Sequence, residues 1–136
     1  MKVSDYASGL QHIGIPTRDL EETILFFTEI GFDIAHTNTD PGNGAKVVFM
    51  NLGNLMIEAY ESDDAAMKVG AIEHIAIDVA DIEAVYDIIN KHGLNNTEDE
   101  IHFLPYWENG VKFFTIEGPN KEKVEFSQKL SEGRSF

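Results

Sequence analysis

Two histidines and two glutamates in this chain are of the types, and at the spacing, that metal chemistry requires. His12 and His74 sit in stretches that repeat each other. Residues 10–32 read LQHIGIPTRDLEETILFFTEIGF and residues 72–94 read IEHIAIDVADIEAVYDIINKHGL. Shifted by 62 positions they align without a gap, placing His12 on His74, Ile13 on Ile75, Ile15 on Ile77, Asp19 on Asp81, Glu21 on Glu83 and Gly31 on Gly93. Each copy is followed by a short strand-like run that carries a glutamate, LMIEAY with Glu58 and KVEFSQ with Glu125. A duplicated unit that supplies one imidazole and one carboxylate per copy is a candidate mononuclear site for a hard-to-borderline divalent ion. A single histidine on a strand is more often structural than a ligand, and a single glutamate is more often merely solvated. Four such residues at repeat-equivalent places are hard to attribute to accident.

The elements that must position them follow from periodicity. Gln11–Pro16 reads as a strand with Ile13 and Ile15 on one face and His12 and Gly14 on the other. Asp19 reads as a helix N-cap, with Glu22 completing a capping-box pattern, and Leu20, Ile24 and Phe27 on one helical face. Gly31 supplies the stop. Strands follow over 32–37, 45–52 and 55–60, separated by the turn-rich NTDPGNG and by Gly53-Asn54. The second copy predicts a strand over 72–79, an N-cap at Asp81, and a helix over 82–92 with Ile82, Val85 and Ile89 inward. Gly93 stops it, and strands follow at 102–107, 111–117 and 123–128, the first two joined at Asn109-Gly110. The expected class is α+β: two βαβββ modules in tandem, with curved sheets around a metal cleft. The isoleucine faces would pack under the helices, leaving His12, Glu58, His74 and Glu125 on the concave face. We expect one domain over 1–136, with module one at about 9–61, a polar linker at about 62–70 and module two at about 71–130.

Bulk properties narrow the partners. At 136 residues the chain can bury a proper core. A formal charge of −14 argues against nucleic acid or an anionic membrane surface. The absence of cysteine removes disulfides and thiolate metal sites. No apolar run approaches the ~18 residues of a membrane helix, and the first residues lack a signal-peptide core, so a cytoplasmic protein is expected.

The paired modules, opened by HIGIPTRDL and HIAIDVADI and closed by IEAY and VEFS, resemble the vicinal oxygen chelate superfamily over about residues 9–128. That superfamily includes glyoxalase I, extradiol dioxygenases, methylmalonyl-CoA epimerase and the fosfomycin- and bleomycin-resistance proteins. The resemblance implies that His12, Glu58, His74 and Glu125, from the first and fourth strand of each module, bind one divalent ion: Ni, Co, Mn, Fe or Zn. The His-Glu-His-Glu order is that of the short bacterial glyoxalase I enzymes, which favour nickel or cobalt. It implies a lyase or isomerase that acts through an enediolate on a small hydroxy-carbonyl or hemithioacetal substrate. A detachable metal-bound glutamate would serve as base, Glu125 by preference and Glu58 as its near-symmetric alternative. It also implies a homodimer. Two departures bear on substrate. Those enzymes carry an arginine four residues after the first histidine and an asparagine four residues after the first glutamate, for glutathione; here these places hold Pro16 and Ser62. We therefore expect poor use of a glutathione adduct. The alternatives are an epimerase of the methylmalonyl-CoA epimerase type or a non-catalytic small-molecule-binding or resistance protein. Among the aromatic residues, Trp107 is the candidate substrate contact, whereas Tyr106, Phe49, Phe113 and Phe114 divide between pocket and core. His36, His92 and His102 have no repeat partner and read as surface residues.

Overall fold

The computed structural model describes residues 2–131. The chain divides into two compact units, with the boundary between Ala65 and Ala66, inside the stretch read as linker. That stretch is not merely solvated: the Ser62 N–H bonds to the Thr17 carbonyl at 2.9 Å and Ala65 is buried.

The first unit runs β1 (Ile13–Thr17), α1 (Leu20–Ile30), β2 (Asp33–Thr39), β3 (Lys46–Leu52) and β4 (Leu55–Glu61). Its sheet has the order β1-β4-β3-β2, with β1 parallel to β4 and the other pairs antiparallel. Alternation does what period two requires. Ile15, Val48, Met50, Ile57 and Ala59 are buried on one face, together with Leu20, Phe26 and Phe27 of α1. Ile24, expected inward with Leu20 and Phe27, is only half-buried, and Thr23 takes the inner position through its hydroxyl contact with Thr17 at 2.9 Å. Asp19 Oδ1 accepts the Glu22 N–H at 3.0 Å, as expected of an N-cap. The reciprocal half of the capping box does not form, because the Asp19 N–H already donates to Thr17 Oγ1 at 3.1 Å. At the other end Gly31 (φ 126°) lets its own N–H reach the Thr28 carbonyl and the Phe32 N–H reach the Phe27 carbonyl at 3.0 Å, closing a Schellman turn.

The second unit repeats this plan with β5 (His74–Asp78), α2 (Ile82–Lys91), β6 (His102–Leu104), β7 (Val111–Glu117) and β8 (Lys123–Lys129), in the order β5-β8-β7-β6. Asp81 caps α2 by accepting the Ala84 N–H at 3.1 Å, and Gly93 repeats the Schellman turn through the Leu94–Ile89 bond at 3.0 Å. Ile77, Ile82, Ile89, Phe114, Ile116, Val124 and Phe126 form the core, while Val85 is half-buried. β6 is shorter than the expected 102–107, because Pro105 has no N–H to continue the ladder. The edge of β7 beyond it is completed by side chains. Asn96 exchanges two bonds with the backbone of Glu117, Thr97 Oγ1 donates to the Thr115 carbonyl, and Asp99 Oδ2 accepts the Thr115 N–H at 2.9 Å. The βαβββ pattern thus holds in both units. Among the described residues no helix is long and apolar enough to cross a membrane.

One buried polar group ties β8 to α2. Gln128 is 2 % exposed, and its Oε1 accepts the N–H of the fully buried Ile82 at 2.8 Å. Gln128→Leu keeps the volume but strands that donor, so stability should fall by about 1–3 kcal/mol. Urea unfolding checks this, and an unchanged midpoint would show that the bond is dispensable.

Candidate metal centre

Each unit builds one histidine–glutamate pair, and both build it by the same register. In the first, the parallel ladder sets Gly14 opposite Glu58; in the second it sets Ala76 opposite Glu125. Gly14 and Ala76 each lie two residues beyond the histidine, on the same strand face. The glutamate therefore faces the smallest side chains available and leans back towards the imidazole. His12 Nε2 stands 3.4 Å from Glu58 Oε1, and His74 Nε2 stands 3.9 Å from Glu125 Oε1. β1 begins at Ile13, so His12 sits just before the strand rather than within it, but on the expected face.

The other imidazole nitrogen is also held equivalently. His12 Nδ1 lies 2.9 Å from Gln11 Oε1, and His74 Nδ1 lies 3.3 Å from Glu73 Oε1. An Nδ1–H donated to those oxygens leaves the Nε2 lone pair directed at a carboxylate. Two acceptors face to face need a cation between them, either a proton or a metal ion. Outer acceptors that fix the tautomer in this way are the usual support of a metal-binding histidine. The distances suit sharing: two ligands each about 2.1 Å from one ion stand about 3.0–3.4 Å apart. The first pair fits as it is, and the second needs only a small side-chain rotation. The donor set of imidazole and carboxylate suits a borderline divalent ion. Each unit thus brings together two candidate ligands; among the described residues no group of three or more potential ligands is gathered in one place.

The sequence matches the model of the Glyoxalase/Bleomycin resistance protein/Dioxygenase superfamily over residues 9–126. The chain belongs to this superfamily. The chain is 31 % identical over 130 residues to the uncharacterized protein YwbC of Bacillus subtilis (strain 168), covering 90 % of this chain and 99 % of that one. It is 30 % identical to the mitochondrial methylmalonyl-CoA epimerase of Homo sapiens over 102 residues, 68 % of this chain and 58 % of the epimerase. In fold it is similar to the genomically encoded fosfomycin resistance protein FosX of Listeria monocytogenes, crystallised with Mn(II) and sulfate. That likeness has a TM-score of 0.67 at 19 % identity, over 93 % of this chain and 96 % of that one.

The second unit carries more than its histidine–glutamate pair. A cleft of about 820 Å³ on the open face of its sheet is lined by His74 and Glu125 at one end and by Tyr106, Trp107 and Lys129 at the other. Trp107 is 69 % exposed and adopts φ 63°, a conformation that costs a bulky residue on the order of 1–3 kcal/mol. Phe113 lines the same cleft, whereas Phe114 is wholly buried against Tyr86 and Phe126. In the first unit Phe49 packs edge-to-face with the His12 ring, with centroids 5.6 Å apart. Arg18, the nearest cation to Pro16 beyond it in sequence, lines a separate hollow with Glu61, Asp63 and Asp64.

His36, His92 and His102 are exposed as expected, but His102 is not idle. Its Nε2 donates to Asp99 Oδ1 at 2.7 Å, and its ring lies over Phe113. Asp99 borders a second hollow that His74 and Glu125 also line. Burial pushes the Asp99 carboxyl up, but the bonds from His102 and from the backbone of Thr115 and Glu100 outweigh it, holding the group below the ordinary aspartate value of 3.8. A depressed folded-state value means that the unfolded chain binds the proton first. The stabilisation is therefore complete above the ordinary value and fades as pH falls through the folded one. Asp99→Asn should be less stable than the parent at neutral pH, with the gap closing below about pH 4. A gap independent of pH, measured by urea unfolding at several pH values, would contradict this.

The paired ligands generate a second prediction. His74→Ala and Glu125→Gln should each weaken divalent-ion binding by tenfold or more, at about the loss expected for one ligand of a small N/O site. Calorimetric titration with Ni(II) or Mn(II) reads the change. Unaltered affinity in both variants would show that these residues are not ligands.

Proposed function

We propose that this protein is a divalent-metal-dependent lyase or isomerase of the glyoxalase type, moving a proton on the carbon beside a carbonyl in a small substrate with two adjacent oxygens. The observation that carries the reading is the register that twice sets a histidine Nε2 against a glutamate. His12, Glu58, His74 and Glu125 would share one ion, drawn from Ni, Co, Mn, Fe and Zn. When bound, that ion supplies a Lewis acid for the substrate's oxygens. The homodimer implied by the resemblance would be one way to bring the halves together.

The rest of the chemistry belongs to the chain. A glutamate carboxylate removes the proton from carbon and later gives it back. We assign this to Glu125, which borders both hollows of the second unit; Glu58 is the symmetric alternative. Delivery of the proton to the neighbouring carbon gives the glyoxalase outcome. Protonation of the same carbon from the opposite face gives epimerisation, with one glutamate taking the proton and the other, protonated, supplying one. The similarity to the human epimerase favours this second outcome, as does the lack of an arginine at Pro16 and an asparagine at Ser62.

Exchange of substrate hydrogen for deuterium, followed by NMR in D2O with Ni(II)- or Co(II)-loaded protein, tests the proposal. The methylglyoxal–glutathione adduct, with its two oxygens on adjacent carbons, and methylmalonyl-CoA, whose two carbonyl groups flank the α-carbon and can still chelate one ion, are the first two compounds to offer. We expect ion-dependent exchange that Glu125→Gln reduces by about 100-fold or more. On the glutathione adduct kcat/KM should stay below ~10⁴ M⁻¹s⁻¹. A higher value would restore glutathione as the thiol. Failure of every α-hydrogen compound with two adjacent oxygens to exchange would remove the proposal.

A further inference from the structure

The cleft that begins at His74 and Glu125 ends at a cation. On β8, period-two alternation puts Glu125, Ser127 and Lys129 on the open face, while Val124, Phe126 and Gln128 are buried beneath. Lys129 thus lies four residues from Glu125 along one face, about 13 Å at strand rise. Its Nζ stands 3.9 Å from the centroid of the Trp107 ring. Among the described residues it forms no ion pair, in a chain where acidic side chains outnumber basic ones 24 to 10. The loop that brings Trp107 there is tightly set. Val111 pairs with Lys129, the Leu130 N–H bonds to the Gly110 carbonyl at 2.9 Å, and any side chain at Gly110 would collide with the Phe103 ring. Trp107 keeps a left-handed backbone while most of its ring remains exposed. A bulky aromatic residue held in strain over an ammonium, at one end of a cleft, is an arrangement suited to a ligand.

We infer that Lys129 and Trp107 form a subsite for an anionic group at the far end of the substrate, a carboxylate or phosphate separated by an extended chain from the two oxygens at His74 and Glu125. This rests on the function proposed above. Lys129 contributes the charge and Trp107 holds the ammonium in place while covering the intervening chain. Among the described residues that line the cleft, Lys129 is the one cationic side chain, and Asp78 and Glu125 are acidic, so a distal anion is directed to Lys129.

The test uses Mn(II)-loaded protein and two probes that share an oxalyl head with adjacent oxygens. N-oxalyl-6-aminohexanoate ends in a carboxylate, and N-hexyloxamate ends in a methyl group. Trp107 is the only tryptophan in the chain, so its fluorescence reports occupancy directly. The carboxylate-ended probe should bind about tenfold tighter or better. Lys129→Met should abolish that preference without weakening the methyl-ended probe, and Lys129→Arg should keep it. Equal affinities in the parent protein, or a preference that survives Lys129→Met, would overturn the subsite. Failure of the metal reading looks different: binding of both probes would then be indifferent to Mn(II), while the preference set by Lys129 would persist.

Discussion

An imidazole lone pair and a carboxylate held a few ångströms apart repel unless a positive charge stands between them. Each unit of this protein imposes that situation through its parallel strand pair. The ladder registers Gly14 with Glu58 and Ala76 with Glu125, and the residue two places earlier is in each case a histidine. Because side chains alternate across a strand, the histidine, the small residue and the glutamate share one face. A slip of one residue would turn all of them into the core. The buried rows on the opposite face, Ile15 with Ile57 and Ala59, and Ile77 with Val124 and Phe126, are therefore what fixes the chemistry.

The two units reach this result with different supports. Behind the first, Thr17 and Thr23 share a buried hydroxyl contact that also engages the backbone of Asp19 at the start of α1. Behind the second, Gln128 performs the corresponding task by binding the Ile82 N–H. The free edge of β7 is satisfied by Asn96, Thr97 and Asp99 in place of a longer strand. The two units share the histidine–glutamate register and differ in their supports. The open face of the second sheet carries the cleft with Trp107 and Lys129.

Much of this was legible in the sequence for physical reasons. The ungapped repeat carried the βαβββ order, the two N-caps at Asp19 and Asp81 and the glycine stops at Gly31 and Gly93, because caps and stops act locally. Period two alone placed His12 and Glu58, and His74 and Glu125, on the faces where they are found. What depends on contacts distant in sequence was not legible. The buried roles of Thr23 and Gln128, the loss of the Glu22 half of the capping box to Thr17, and the Asp99–His102 pair all need a partner that only folding supplies. Lys129 was legible by the same alternation, since it continues the Glu125–Ser127 face.

The central claim is that both histidines serve one ion. Pulsed electron paramagnetic resonance of Mn(II)-loaded protein counts the imidazole nitrogens bound to each manganese. The account predicts two nitrogens per ion, falling to one in His12→Ala and likewise in His74→Ala. A spectrum showing a single imidazole nitrogen on every ion in the parent protein would contradict it.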